Sequence, residues 1–224
     1  MSREYGRVLI INLGDRSSRT LEMEAAVLKK FVGGPGLSAY LYGQFAKGDV
    51  PPLDPASPFF IMTGPLTGTP VVLSGRHGVA GRSPLTGFWG EASVGGHWGR
   101  EFRRTGYDGM VLLGKSGRPV YLSLIDGKLE FRDAAPVWGK DCFETDSLLK
   151  KELGEKVQVC SIGPAGEKLV KFSGVSTDGR HARVAGRCGL GALMWSKNLN
   201  AVVVRKEEIT IENLDRKSVG RERV

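Results

Sequence analysis

Histidine and cysteine, the side chains that most often build metal and disulfide sites, are scarce in this 224-residue chain, with three of each. Cys142, Cys160 and Cys188 are odd in number and far apart. That excludes a disulfide framework, and no Cys-x-x-Cys metal clip exists. His77, His97 and His181 do not fall at metal-ligand spacing, so none is expected to be a ligand. No apolar run approaches the roughly 18 residues a membrane span requires. The opening Met-Ser-Arg-Glu-Tyr carries no apolar targeting run. The expected compartment is the cytoplasm, with no membrane partner.

What the chain has in excess is glycine. Its 32 glycines are roughly twice the usual share of about 7%, and they are dispersed without a collagen-like period or a low-complexity tract. Dispersed glycine implies many turns, or backbone that must pass close to something bulky. The net charge is +8, which points to an anionic partner. Many arginines directly follow a glycine: Arg76, Arg82, Arg100, Arg180 and Arg187. A guanidinium on tight backbone can grip two oxygens at once and suits a compact phosphate. Nucleic acid would call for a basic stripe interleaved with aromatics, and the positive residues are instead scattered. A phosphate-bearing ligand is the better reading, and no nucleic-acid partner is expected.

Patterning indicates an α+β chain. Val8–Ile11 and Ser18–Met23 read as a hairpin turned at Gly14-Asp15. Glu24–Phe31 has helical spacing, Gly33-Gly34-Pro35-Gly36 interrupts it, and a second helix is expected over Leu37–Phe45. Phe59–Met62 reads as a buried strand, and Gly95–Arg104 as a helix entered through glycines. Gly109–Leu113, Pro119–Ile125 and Lys128–Arg132 read as a strand followed by a hairpin around Asp126-Gly127. Asp141–Leu153 is the clearest amphipathic helix, closed by Gly154. Val157–Ile162, Leu169–Phe172 and Ala201–Val204 read as strands, with a short helix over Leu190–Ser196. Strands and helices do not alternate as βαβ units, so mixed sheets are favoured over a doubly wound one. Gly64-Pro65-Leu66-Thr67-Gly68 is echoed nineteen residues later by Ser83-Pro84-Leu85-Thr86-Gly87, a candidate mark of internal duplication.

Gly109-Met110-Val111-Leu112-Leu113-Gly114-Lys115-Ser116 matches the letters of a phosphate-binding P-loop. The chemistry rejects it. Met-Val-Leu-Leu belongs in a strand core rather than in an open loop, and Gly117-Arg118-Pro119 cannot continue a helix from Ser116.

Three segments are hard to explain as generic turns. The first is Thr63–Gly68 leading to Ser74-Gly75-Arg76. The second is Ser83–Gly87 leading to Ser93-Val94-Gly95-Gly96 and Gly106-Tyr107-Asp108-Gly109. The third is the stretch Arg183–Leu199, which contains Ala185-Gly186-Arg187-Cys188-Gly189-Leu190-Gly191. Together with Gly6-Arg7-Val8-Leu9 and Phe31-Val32-Gly33-Gly34, they strongly resemble the N-terminal domain of the aldehyde:ferredoxin oxidoreductase family. The resemblance runs from about Tyr5 to Arg205 and gives an expected domain over residues 1–210.

That resemblance implies two similar α+β halves holding tungsten, or less often molybdenum, in a bis-molybdopterin cofactor. It implies ferredoxin as electron partner, a small aldehyde as substrate, and leaves open a homodimer of the full-length protein. Carried over by position, Arg76 matches the pterin-contacting arginine and Gly95 the glycine whose backbone meets the pterin, with Gly96 beside it. Ser93 stands where the family often has asparagine, so only its carbonyl contact carries over. Arg183, Val184 and Arg187 fall in the second pterin stretch, with Val184 where alanine is usual. The carbonyls of Ser93 and Val184 would be the ligands of a magnesium ion bridging the pterin phosphates. Cys188, in that stretch, reads as a small buried residue, and Trp98 and Trp195 as core or pocket wall.

The family's cluster-binding run, Cys-x-x-Cys-x-x-x-Cys with a distant fourth cysteine, is absent from these residues. The [4Fe–4S] cluster and the substrate acid/base groups are therefore expected in missing C-terminal domains. The charged ending Asp215–Val224 does not resemble the family and reads as an artefactual tail. Two functions follow from the resemblance: a fragment of a redox enzyme, itself inactive, or a non-catalytic module that holds a phosphorylated pterin. Substrate identity stays open.

Overall fold

The apolar run Val8–Ile11 is buried on both faces, which fits a strand inside a sheet rather than at its edge. The computed structural model describes residues 5–206; the ending 215–224 lies outside the described residues. Strands β1 (Arg7–Asn12) and β2 (Ser17–Glu22) form the opening hairpin, followed by helices α1 (Ala25–Phe31) and α2 (Gly34–Phe45). Then come β3 (Phe59–Thr63), β4 (His77–Arg82), β5 (Trp89–Val94), α3 (Trp98–Arg104) and β6 (Gly109–Leu113). These six strands make one sheet in the order β2-β1-β6-β3-β4-β5.

The second half repeats the plan. It contains β7 (Val120–Ile125), β8 (Lys128–Asp133), α4 (Cys142–Leu153), β9 (Gln158–Ser161) and the single turn α5 (Pro164–Glu167). It closes with β10 (Val175–Thr177), β11 (Arg183–Ala185), α6 (Leu190–Trp195) and β12 (Leu199–Arg205). Its sheet order is β11-β10-β9-β12-β7-β8. Read from the other edge, this is the first order with each strand replaced by its counterpart six places on. In both sheets the first and last strands of the half pair parallel and every other pair is antiparallel. The fold is α+β with two similar six-stranded mixed sheets.

The nineteen-residue echo does not mark this duplication. Both copies lie in the first half, in the β3–β4 and β4–β5 connections. What they share is local turn chemistry: each ends on a glycine at positive φ, +77° at Gly68 and +75° at Gly87. The trace of the duplication is elsewhere. Gly64-Pro65 and Ser74-Gly75 recur as Gly163-Pro164 and Ser173-Gly174, each 99 residues on. Both sets bracket the loop after the third strand of their half.

Alternate residues of each strand face different layers. Val8, Ile10, Phe60, Met62 and Ala80 pack outward under Leu37 and Leu41 of α2. Tyr121, Val159, Ala201 and Val203 do the same under Leu149 of α4. The inner faces of the two sheets share one core with Trp98 and Phe102 of α3 and Leu190, Leu193 and Met194 of α6. The two inner helices are exchanged between the halves. Trp98 of α3 is fully buried, stacks on Phe102, and donates its indole N–H to Val202 of β12 at 3.1 Å. Leu193 of α6 fills the space left by Gly81 of β4. Trp98 and Trp195 are both core residues.

Two local expectations change. Gly34-Pro35-Gly36 does not separate the helices but forms the first turn of α2. Proline lacks only an N–H that the first turn leaves unpaired anyway, so it starts the helix well. Leu169–Phe172 is not a strand, since Leu169 has φ +55° and the chain turns there before β10. Elsewhere the expected elements appear within a few residues. Asp141 caps α4 with a complete capping box through Glu144. Gly109–Leu113 is a central strand, which removes any P-loop.

Lys197 ties the halves at their base. It is fully buried, and its Nζ donates to the carbonyls of Pro55 (3.1 Å) and Gly114 (3.5 Å). Burial lowers its pKa to about 7, with Asp54 pulling weakly the other way. A depressed folded-state value means stability is lost as pH falls from the free-lysine range near 10.5 toward 7. The slope approaches about 1.4 kcal/mol per pH unit at most. Raising pH from 7 to 9.5 should therefore raise the urea midpoint of the wild type relative to Lys197→Met. A pH-independent difference between the two proteins would show the amine is charged throughout.

Candidate functional site

Strands β4 and β5 end side by side, with His77 opposite Val94 and Gly78 opposite Ser93. Residues that alternate along a strand share a face, so Arg76, Gly78 and Ser93 look the same way. Arg76 Nε donates to Ser93 Oγ at 2.9 Å, and Nη2 donates to the Ser93 carbonyl at 3.0 Å. The third nitrogen, Nη1, lies toward Gly95, 3.6 Å from where a Cβ there would stand. The departure from asparagine thus keeps a side-chain contact, made to Arg76.

Beyond β5 the chain turns through Gly95 and Gly96 into α3. Three segments meet at this turn. A methyl group on Gly75 would sit 2.6 Å from the Gly96 carbonyl oxygen. A Cβ on Gly96 itself would fall on the Asp178 carboxylate and stand 3.1 Å from Arg183 Cγ. Strand β11 runs beside β5, and Arg183 stands against Gly96, with Val184 next to it in the strand. Farther on, Cys188 is half-buried, with its Sγ 3.7 Å from the Glu91 carbonyl of β5. Of the seven residues named from the sequence, Arg76, Ser93, Gly95, Gly96 and Arg183 meet at this seam, and Val184 follows Arg183 in β11. Arg187 is exposed and makes no hydrogen bond or ion pair among the described residues.

A cleft of about 440 Å³ opens beside Arg76 and Ser93. Its walls come from the N-terminus of α2 (Gly33, Gly34, Pro35) and from the β3–β4 loop (Pro65, Leu66, Leu73). A helix N-terminus offers unpaired N–H groups and the positive end of the helix dipole, and Arg76 adds a formal charge. The loop is shaped from below. Arg103 Nη1 donates to the carbonyls of Pro65 (2.5 Å) and Thr67 (2.7 Å), and Arg103 Nε pairs with Asp108 at 3.2 Å. Asp108 in turn accepts the amides of Gly6 and Arg7. The loop tips are apolar in both halves: Leu73 is 89% exposed and its counterpart Phe172 is 70% exposed. Val32, Leu66, Val72 and Val184 add to this exposed apolar surface.

Arg76 and Arg183 are exposed at the site, while Asp178, inside the seam, is buried and occupied by backbone amides. His77 lies under the site, 3% exposed and tilted against Trp98, and neither ring nitrogen has a partner among the described residues. Burial, aided by the charge of Arg76, lowers its pKa to about 3, so it is neutral at ordinary pH. No group of three or more His, Cys, Asp or Glu side chains is placed to hold a metal among the described residues. No described helix is long and apolar enough to cross a membrane.

Sequence reasoning missed Asp178, Arg103 and the α2 N-terminus. Asp178-Gly179 reads as an ordinary turn, and Arg103 as one of two arginines at a helix end. The Gly-Gly-Pro-Gly run reads as a break along the sequence and is a helix start in the fold.

A glycine-lined seam edged by arginines thus lies between two similar α+β halves. The family model for the aldehyde ferredoxin oxidoreductase N-terminal domain matches residues 8–206. The tungsten-containing aldehyde ferredoxin oxidoreductase of Pyrococcus furiosus is 44% identical over 205 residues, covering 91% of this chain and 34% of that protein. The aliphatic sulfonate oxidoreductase WOR-like subunit of the same organism is 33% identical, covering 89% of this chain and 34% of its own length. Among solved structures, the active-site complex BamBC of benzoyl-coenzyme A reductase with 1,5-dienoyl-CoA superposes with a TM-score of 0.86. It is 35% identical, over 89% of this chain and 30% of that one. This chain belongs to the aldehyde ferredoxin oxidoreductase family, as its N-terminal domain. It spans about a third of the length of the curated relatives it matches.

The Gly96 crossing makes a sharp prediction. At positive φ an alanine costs about 1–2 kcal/mol in backbone strain alone. Gly87→Ala should cost no more than that, since nothing lies within 4 Å of its Cβ position. Gly96→Ala should cost at least about 2 kcal/mol more, because it must also displace the buried Asp178 carboxylate. Chemical denaturation of both variants measures the difference; equal losses would mean the turn yields without strain.

Proposed function

We propose that this chain is the pterin-holding part of a tungsten-dependent oxidoreductase, with molybdenum the alternative metal, that oxidises an aldehyde to a carboxylic acid and passes electrons to ferredoxin. The observation that supports it most is the meeting of Arg76, Ser93, the Gly95-Gly96 turn and Arg183 at one seam between the halves. The relatives' names supply tungsten, aldehyde and ferredoxin, and the benzoyl-coenzyme A and sulfonate relatives keep the choice of substrate open. The iron–sulfur cluster and the substrate-handling groups are proposed to come from sequence beyond this domain.

When bound, a metal–bis-molybdopterin centre supplies the oxygen-transfer and redox chemistry. The residues of this chain do the holding. Arg76 presents a guanidinium edge already oriented by Ser93, so little rotamer freedom remains to be lost on binding. Gly95 and Gly96 let backbone approach a flat ring, and Arg183 and Arg187 neutralise phosphate. Ser93 O accepts from Arg76 and a carbonyl has two lone pairs, so this carbonyl and that of Val184 would be the oxygens offered to a magnesium ion.

The test is to purify the full-length protein anaerobically from cells supplied with tungstate or molybdate, and to assay metal by mass spectrometry and pterin by its fluorescent oxidation product. Tungsten and pterin should co-purify, and Arg76→Ala should lower pterin retention by about tenfold, as expected for losing a charge-assisted fork. Pterin without metal or redox activity would favour a binding module without catalysis. Absence of both pterin and metal would overturn the proposal.

A further inference from the structure

Asp178 follows β10 with φ +64°, a conformation that aspartate and asparagine tolerate because a short polar side chain can bond locally. Here the side chain does not bond locally. It crosses to the first half, where Oδ1 and Oδ2 accept the His97 amide at 3.0 and 2.9 Å and Oδ1 accepts the Trp98 amide at 3.2 Å. The carboxylate is 5% exposed and lies where a Cβ of Gly96 would otherwise be. On its far side Gly179 backs onto the Asp146 carboxylate of α4, so the turn has no room to retreat. The matching helix of the second half, α6, begins at Gly189 with no side-chain cap. The clamp is therefore not a by-product of the repeated plan, and neither the backbone angle nor the duplication calls for a carboxylate at this position.

We propose that Asp178 is a positioning residue for the pterin-phosphate site, resting on the function proposed above: it locks the Gly95-Gly96 backbone against Arg183, so that Arg76 and Arg183 flank one opening. Its oxygens are committed to amide protons, so its charge orients the turn and is kept from the anion by that backbone. The role is missed by any search for residues that touch the ligand, because Asp178 acts through Gly96.

Two variants keep the backbone angle and change only the clamp. Asp178→Asn retains one acceptor and loses the charge; Asp178→Gly removes the clamp altogether. The ¹⁵N-labelled 224-residue chain is titrated with sodium pyrophosphate and followed at the amides of Gly95 and Gly96. Leu149→Ala, which hollows the core beneath α4, serves as a destabilised control. The wild type should respond at both glycines. Affinity should fall about threefold in Asp178→Asn and about tenfold in Asp178→Gly, the range for losing charge-assisted hydrogen bonds. Leu149→Ala should lower the melting temperature with affinity unchanged. Unchanged affinity in both Asp178 variants would overturn this inference and leave the phosphate reading standing, as would an equal loss in Leu149→Ala. A wild type that does not respond at Gly95 or Gly96 would overturn the phosphate reading itself, and this inference with it.

Discussion

Arg103 and Asp108 form an ion pair from which most of the site's scaffold is hung. Both are buried, at 3% and 0% side-chain exposure, where an unpaired charge would cost several kcal/mol. The cost is met because every edge of the pair is used. Arg103 holds the carbonyls of Pro65 and Thr67, and Asp108 takes the amides of Gly6 and Arg7. Tyr5 lies over the guanidinium and donates to the Thr63 carbonyl, next to Gly33, which has no side chain to obstruct it. The end of α3, the start of β1, the β3–β4 loop and the entry to α2 thus share one buried polar knot. The cleft wall formed by Pro65 and Leu66 is set by this knot.

The second constraint is the exchange of inner helices. Because α3 packs on the sheet of the second half and α6 on strands of both, the two halves share one core. The exchange also brings the edge strands β5 and β11 together, and it is at this seam that the glycine turn, the arginines and Asp178 meet. A site placed between repeats inherits two sets of strand ends and helix entries at once. Here the two sets are not equivalent. The first half brings Arg76 and an α3 whose entry amides are taken by Asp178 of the second half; the second brings Arg183 and an α6 with no side-chain cap. The molecule keeps the symmetry of its fold and breaks it at the site.

Much of the fold was legible in the sequence for reasons that are local. Buried strands such as Phe59–Thr63 show as apolar runs, and the capping box of Asp141 and Glu144 announces α4. Seven candidate residues follow from motif position, and five of them meet. The errors share a cause. The nineteen-residue echo looked like a duplication because turns of one chemistry use the same residues wherever they occur, whereas the real repeat survives only as Gly-Pro and Ser-Gly pairs 99 residues apart. Leu169–Phe172 looked like a strand because Leu-Val-Lys-Phe is apolar enough, and its exposed tip has no local signature.

By itself the sequence determined the α+β class, the family, most of the helices and eight of the twelve described strands, since these depend on periodicity, turn residues and motif order along the chain. The glycine-rich strands β4, β5, β10 and β11, which frame the site, carry no such period. Only the tertiary structure decided what those motifs do to each other. That Gly96 must lack a side chain, that Asp178 serves a helix eighty residues away, and that Lys197 and Arg103 are buried and satisfied are facts about distances in space. The physical reason is that the energy of a buried charge or a close backbone crossing is set by neighbours that the chain brings together only after both sheets have formed.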